Sequence, residues 1–124
     1  MCPFCQLPDD QCVKVTSAAR AFRDQYPVSP GHTLVIPTKH VASLFELSAD
    51  EQTEMWKLVA VVREQLQNEF GPAGFNIGLN DGTAAGQTVM HAHIHVIPRF
   101  NGDVADPRGG VRWILPEKAR YWSS

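Results

Sequence analysis

Gly86-Gln-Thr-Val-Met-His-Ala-His-Ile-His-Val-Ile-Pro-Arg99 is the stretch from which the rest of this chain is read. It holds His91, His93 and His95 at alternate positions. On extended chain, alternate side chains point to one face. The three imidazoles therefore share a face, while Met90, Ala92, Ile94 and Val96 turn toward a core. One metal ion held by all three rings does not fit this geometry. At about 3.3 Å per residue, His91 and His95 lie roughly 13 Å apart along a flat strand. A tetrahedral ion takes nitrogen ligands at about 2.0–2.1 Å. The spacing instead gives the rings separate jobs: nucleophile, phosphate binder, and metal ligand or support. Gly86, Gln87 and Arg99 flank them with groups compatible with phosphate.

Length and composition narrow the setting. The 124 residues suit a single domain, 1–124, with a modest core. The formal net charge of −2, without a long run of one sign, argues against extended nucleic acid as a main partner. No apolar stretch approaches the roughly 20 residues of a membrane span. The start, Met-Cys-Pro-Phe-Cys, has no basic segment leading into an apolar run, so a cytoplasmic protein is expected. Three cysteines in a reducing compartment make disulfides the weaker reading.

The elements follow from pattern. Val13 to Asp24 reads as extended chain, Tyr26 to Gly31 as a proline- and glycine-rich turn, and His32 to Ile36 as a strand ended by Pro37. A hairpin is the simple connection between the two extended segments. Ser48-Ala-Asp-Glu51 is a capping box opening one long helix, Ala49 to Phe70, about 33 Å long at 1.5 Å per residue. Met55, Leu58, Val59, Val62 and Leu66 form its packing face, and Gly71-Pro72 stops it. Trp56 and Val61 fall off this stripe, which fits either a subunit contact or plain exposure. Gly74 to Asn80 is extended again, with Phe75, Ile77 and Leu79 alternating against Asn76, Gly78 and Asn80. The small-residue loop Asp81 to Gly86 lets backbone N–H groups approach an anion, but it is not a P-loop.

Cys2-Pro-Phe-Cys5 can be a redox pair, half of a zinc site, or chance. Its position ahead of any strand–helix unit favours metal, with further ligands among His32, His40 and the triad. Cys12 reads as a small buried apolar residue. His32 is either a strand-end histidine bonded to backbone or an active-site group, and Asp24 by itself reads as a turn aspartate. The tail, with Arg99, Arg108, Arg112, Lys118, Arg120, Trp113, Tyr121 and Trp122, suits a solvated basic segment, contacts to a polyphosphate, or a subunit contact.

His91-Ala-His93-Ile-His95-Val-Ile resembles the histidine-triad signature of the HIT superfamily of nucleotide hydrolases and transferases. Gly31-His-Thr-Leu-Val-Ile-Pro37 with Lys39-His40, Asn76 to Gly82, and Asp106-Pro-Arg-Gly-Gly-Val-Arg-Trp113 extend the resemblance from Cys2 to about Trp122. The resemblance implies an α+β, HIT-like fold: an antiparallel sheet of about five strands, one long helix and a short one. It implies that His93 attacks the α-phosphorus of a nucleotide to give a nucleotidyl-histidine, with His95 and His32 assisting. Asp24 would meet ribose hydroxyls, and Asn80, Gln87 and Thr88 would lie beside the phosphates. Serine is frequent in relatives where Thr88 stands. Cys2, Cys5, His40 and His91 would hold a structural zinc ion, and the chain would form a homodimer. His95, where sugar-phosphate transferases carry glutamine, points to water as acceptor. The implied activity is hydrolysis of diadenosine polyphosphates or nucleoside phosphoramidates. A nucleotidyl transferase or polyphosphate phosphorylase, and a nucleotide-binding module with little turnover, are the alternatives.

Overall fold

The sheet is built from strands β1 (Lys14–Val15), β2 (Ala19–Arg23), β3 (Thr33–Pro37), β4 (Gly74–Gly78) and β5 (Ile94–Arg99). They are ordered β1-β2-β3-β5-β4, and every neighbouring pair is antiparallel. Helix α1 spans Ala49–Phe70, and the short helix α2 spans Pro116–Ala119. The computed structural model describes residues 2–123. The expected α+β, HIT-like architecture is the one observed.

Helix α1 forms where the sequence signals it. Ser48 Oγ accepts from the Glu51 N–H, and Glu51 Oε1 accepts from the Ser48 N–H, so two otherwise orphaned donors are satisfied. Lys39 Nζ lies 2.7 Å from Glu51 Oε2 and, with the Ser48 hydrogen bonds, holds the Glu51 pKa down at about 2. Gly71 ends the helix in the left-handed region, φ 61°. Met55, Leu58, Val59, Val62 and Leu66 are all buried, against Ala19, Ala21, Val35, Ile94 and Val96 of the sheet. Trp56 and Val61 are 44% and 41% exposed, so within this chain they bury no second face.

The sheet's other face carries the site. Phe22, Leu34 and Ile36 form a second apolar cluster there, covered by Phe4, Leu7 and Cys12 from the N-terminal segment. Cys12 is only partly buried, and burial raises its thiol pKa. The extended segment read over residues 13–24 is two strands, because Thr16 turns the chain: its N–H donates to the Ala19 carbonyl at 2.8 Å. The histidine stretch also differs from one continuous strand. β5 starts only at Ile94; His91 and His93 precede it on irregular chain, anchored by the Ala92 N–H donating to the Val41 carbonyl at 2.7 Å. Met90 is 40% exposed, while Ala92, Ile94 and Val96 face the core as expected.

Gly31, φ +89°, sits under the end of α1, where an added Cβ would lie 2.9 Å from the Phe70 ring and 3.0 Å from Leu66. Gly71, also at positive φ, has open space around it. Gly31→Ala should therefore cost about 2 kcal/mol or more, from strain plus overpacking, and Gly71→Ala about 1 kcal/mol. Urea denaturation of the two variants checks the order; equal losses would show that Phe70 moves aside freely.

Candidate functional site

Five histidines meet along one seam, and the partners of His32, His91, His93 and His95 define their tautomers. His93 Nδ1 lies 2.8 Å from the His91 carbonyl, which can only accept, so Nδ1 carries the proton and Nε2 keeps its lone pair in the neutral ring. Among the described residues, no hydrogen-bond partner commits His93 Nε2, which keeps a free lone pair in the neutral ring. His32 Nδ1 accepts from the Val28 N–H at 3.1 Å, so its proton is on Nε2. That Nε2 lies 2.9 Å from His95 Nδ1 and 3.4 Å from Asp24 Oδ2. His95 consequently accepts at Nδ1 and presents Nε2–H as a donor. The His93 and His95 rings are 5.2 Å apart, centroid to centroid.

Burial, reinforced by the neighbouring His93 and His32, pushes the His95 pKa down to about 4. Burial also lowers His32, opposed by the Asp24 carboxylate. His95 is therefore held in its neutral form, with Nε2–H available as a donor. Asp24, His32 and His95 converge closely enough to suggest a metal site. The Val28 N–H argues against one, because it commits His32 Nε2 to carrying a proton.

His91 is fully buried, and its Nε2 lies 2.9 Å from the Pro37 carbonyl. The proton therefore sits on Nε2, and Nδ1 turns its lone pair toward Cys2 Sγ and Cys5 Sγ, each at 3.5 Å, and His40 Nδ1 at 3.2 Å. Cys5 Sγ lies 3.2 Å from His40 Nδ1. Four lone-pair donors packed this way fit a cation: tetrahedral zinc with bonds near 2.1–2.3 Å has ligand–ligand edges of roughly 3.4–3.8 Å. The Pro37 carbonyl is the outer partner that orients a ligating imidazole. The chain thus brings together all four residues expected to hold metal.

The cleft beside His93 and His95 has a volume of about 580 Å³. Phe4, Leu7, Phe22 and Leu34 form its apolar side; Asp24, Asn80 and Thr88 are on its polar side. Asp24 also accepts from the Tyr26 N–H at 2.9 Å, so the turn role and the cleft position coexist. Gln87 is buried beneath the loop rather than in the cleft. Its Nε2 donates to the Ala42 and Val89 carbonyls, and its Oε1 accepts from the Gly82 N–H. Gly78 pairs with His95, and an added Cβ there would meet nothing within 4 Å, so the space beside His95 stays open. Most of the tail's arginines are engaged locally: Arg99 with Asp103 and Asn76, Arg108 with Asp106, Arg112 with the Lys118 and Ala119 carbonyls.

Two contributors escaped the sequence reading. Phe4 lies edge-on to Phe22, His91 and His93. Arg20 reaches from β2 to the carbonyls of Leu7 and, at 2.7 Å, Phe4. The signal available was an arginine within the otherwise apolar Ala19–Phe22 run, which implies a partner on the sheet face.

An antiparallel sheet thus presents two adjacent imidazoles, one with a free Nε2 and one with an Nε2–H, to a mixed apolar–polar cleft. The profile of the HIT domain matches residues 8–102. The chain belongs to the HIT family. It is 37% identical over 127 residues to the adenosine 5'-monophosphoramidase hnt1 of Schizosaccharomyces pombe, covering 96% of this chain and 90% of that protein. It is 40% identical over 91 residues to the asymmetrical bis(5'-nucleosyl)-tetraphosphatase of the same yeast, covering 73% of this chain but only 50% of that protein. The crystal structure of a Zn-bound histidine triad family protein from Mycobacterium smegmatis superposes with a TM-score of 0.75 at 32% identity, covering 85% of this chain and 79% of that one. Among the described residues, no helix is long and apolar enough to cross a membrane.

The His95 shift has a consequence for stability. A histidine whose folded pKa lies below its unfolded value, near 6.5, stabilises the fold fully above that value and loses the contribution as pH falls toward about 4. Replacing it by glutamine, which can still accept from His32, removes that dependence. The Tm difference, wild type minus His95→Gln, should fall by on the order of 5 °C between pH 7 and pH 4. A difference independent of pH would contradict a buried neutral ring.

Proposed function

We propose that this HIT protein hydrolyses nucleotides at the α-phosphorus through a nucleotidyl-histidine on His93. The observation that carries this reading is the His93 Nδ1–H bond to the His91 carbonyl, which leaves Nε2 with the lone pair of a neutral ring that lines the cleft. Nε2 attacks phosphorus, the bond to the leaving group breaks, and water then cleaves the nitrogen–phosphorus bond to release a nucleoside monophosphate. His95 Nε2–H donates to a phosphoryl oxygen as charge builds in the transition state. His32 fixes the His95 tautomer. The base lies against Phe22, Leu34 and Phe4, Asp24 accepts from the ribose hydroxyls, and Asn80 and Thr88 flank the phosphate. Gln87 contributes by holding the loop that carries Thr88.

Cys2, Cys5, His40 and His91 would hold zinc. A closed shell of four protein ligands supplies folding energy rather than activated water. No catalytic step requires it.

Among nucleotide substrates, phosphoramidates suit the cleft better than dinucleoside polyphosphates. Arg23 is the one lysine or arginine among its described lining residues, and it is already held by Glu69 and Thr33. A tri- or tetraphosphate leaving group would find little positive charge. The hnt1 relative, matched over nearly its whole length, is itself a monophosphoramidase. A cytoplasmic location suits the free thiols.

Intact mass after quenching without acid should show an AMP-sized adduct on wild type and none on His93→Ala, with turnover falling at least 10³-fold. Adenosine 5'-phosphoramidate should exceed diadenosine tetraphosphate in kcat/KM by tenfold or more. Full activity in His93→Ala would remove the nucleophile, and the reverse substrate ratio would restore the polyphosphatase reading. ADP formed only when inorganic phosphate is added would mark a phosphorylase. AMP binding with neither adduct nor turnover would mark a binding module.

The proposed partner is a second copy. β4 is an edge strand, and the exposed Val111, Ile114 and Leu115 line a groove beside it with Ile77 and Leu79. Unpaired strand edges beside apolar surface favour sheet continuation across two chains. Sedimentation should give twice the 13.7 kDa of the chain, and Ile114→Glu should shift it toward monomer. A monomeric wild type at tens of micromolar would remove the dimer.

A further inference from the structure

Resting on the nucleotide reading above, we propose that metal occupancy of the Cys2–Cys5–His40–His91 cluster is coupled to nucleotide binding through Phe4. The covalent arrangement is the starting point. Phe4 stands between the two cysteines in Cys2-Pro3-Phe4-Cys5, so ligation at both ends leaves the intervening residue little freedom. Its ring is one wall of the cleft, together with Pro3 and Leu7 of the same segment. That ring lies 5.2 Å from His93, 5.3 Å from Phe22 and 5.9 Å from His91, edge-on in each case. One side chain therefore touches a metal-cluster residue, the nucleophile and the apolar cleft wall.

What else holds this segment is sparse. Residues 2–8 belong to no strand of the sheet, which begins at Lys14. Their tertiary anchors are the Arg20 guanidinium on the Phe4 and Leu7 carbonyls, the packing of Phe4 and Leu7 on Phe22, Leu34 and Ile36, and the cysteine–histidine cluster. A segment with few anchors and half-exposed side chains opens at low free-energy cost. Removing the metal removes the anchor at both ends of Phe4, and the cleft then loses its N-terminal wall for part of the time. Nucleotide binding must in turn order that wall, so the nucleotide and the metal each favour the other. Linkage requires the two effects to be equal.

The test uses the full chain and AMP as the probe. AMP affinity is measured by calorimetry for zinc-loaded and chelator-stripped protein, and zinc affinity by competition with a chromophoric chelator, with and without saturating AMP. Circular dichroism monitors the fold throughout. For wild type, stripping should weaken AMP binding about tenfold, and AMP should tighten zinc binding by the same factor. Phe4→Ala should keep its zinc affinity measured without AMP within a few-fold, bind AMP about tenfold more weakly when loaded, and lose the dependence of each ligand on the other. If the stripped chain unfolds, zinc affinity with and without saturating AMP decides: a tightening by AMP in wild type that is lost in Phe4→Ala supports the coupling, and an equal tightening in both overturns it. AMP binding of equal strength with and without zinc overturns the coupling alone. No AMP binding by loaded wild type overturns both the coupling and the nucleotide reading.

Discussion

The site depends on the placement of a single residue, His91. Its ring is fully buried, with Nε2 donating to the Pro37 carbonyl at the end of β3. Its Nδ1 faces the two N-terminal cysteines and His40. Its own carbonyl accepts from His93 Nδ1. One residue thus joins the sheet, the cysteine cluster and His93. Desolvation lowers its pKa, consistent with a neutral ring whose lone pair is available to a cation.

The fold divides the labour between the sheet's two faces. Helix α1 covers one face with an aliphatic stripe and contributes none of the described residues lining the cleft. The other face is only partly covered, by a short irregular segment, and the uncovered remainder is the cleft. β5 lies between β3 and β4, so His95 has Leu34 on one side and Gly78 on the other. The central strand gives that ring a rigid base, and the glycine leaves space for a ligand beside it. Rigid placement matters because donors act on a transition state only when they are already oriented toward it.

Local patterns carried most of the fold. The capping box, the helical stripe and the Gly71 stop gave α1 its observed limits, because each depends on residues within one or two turns. The alternation of Phe75, Ile77 and Leu79 was likewise legible. The continuous histidine strand was not the outcome. Ladder bonds to β3 begin only at Ile94, and the Ala92 N–H bonds Val41 instead. Periodicity describes which side chains agree with one another; it does not say where a partner strand stops.

By itself the sequence determined the elements, the apolar faces and the inventory of imidazoles, thiols and carboxylates, since these follow from side-chain chemistry and short-range spacing. The tertiary structure decided which nitrogen of His32, His91, His93 and His95 is free. His32 meets His95 across 63 residues of sequence, Cys2 meets His91 across 89, and Phe4 reaches a cleft made by strands that follow it. A tautomer is set by the carbonyl or amide that happens to face the ring, and that neighbour exists only once the strands have paired.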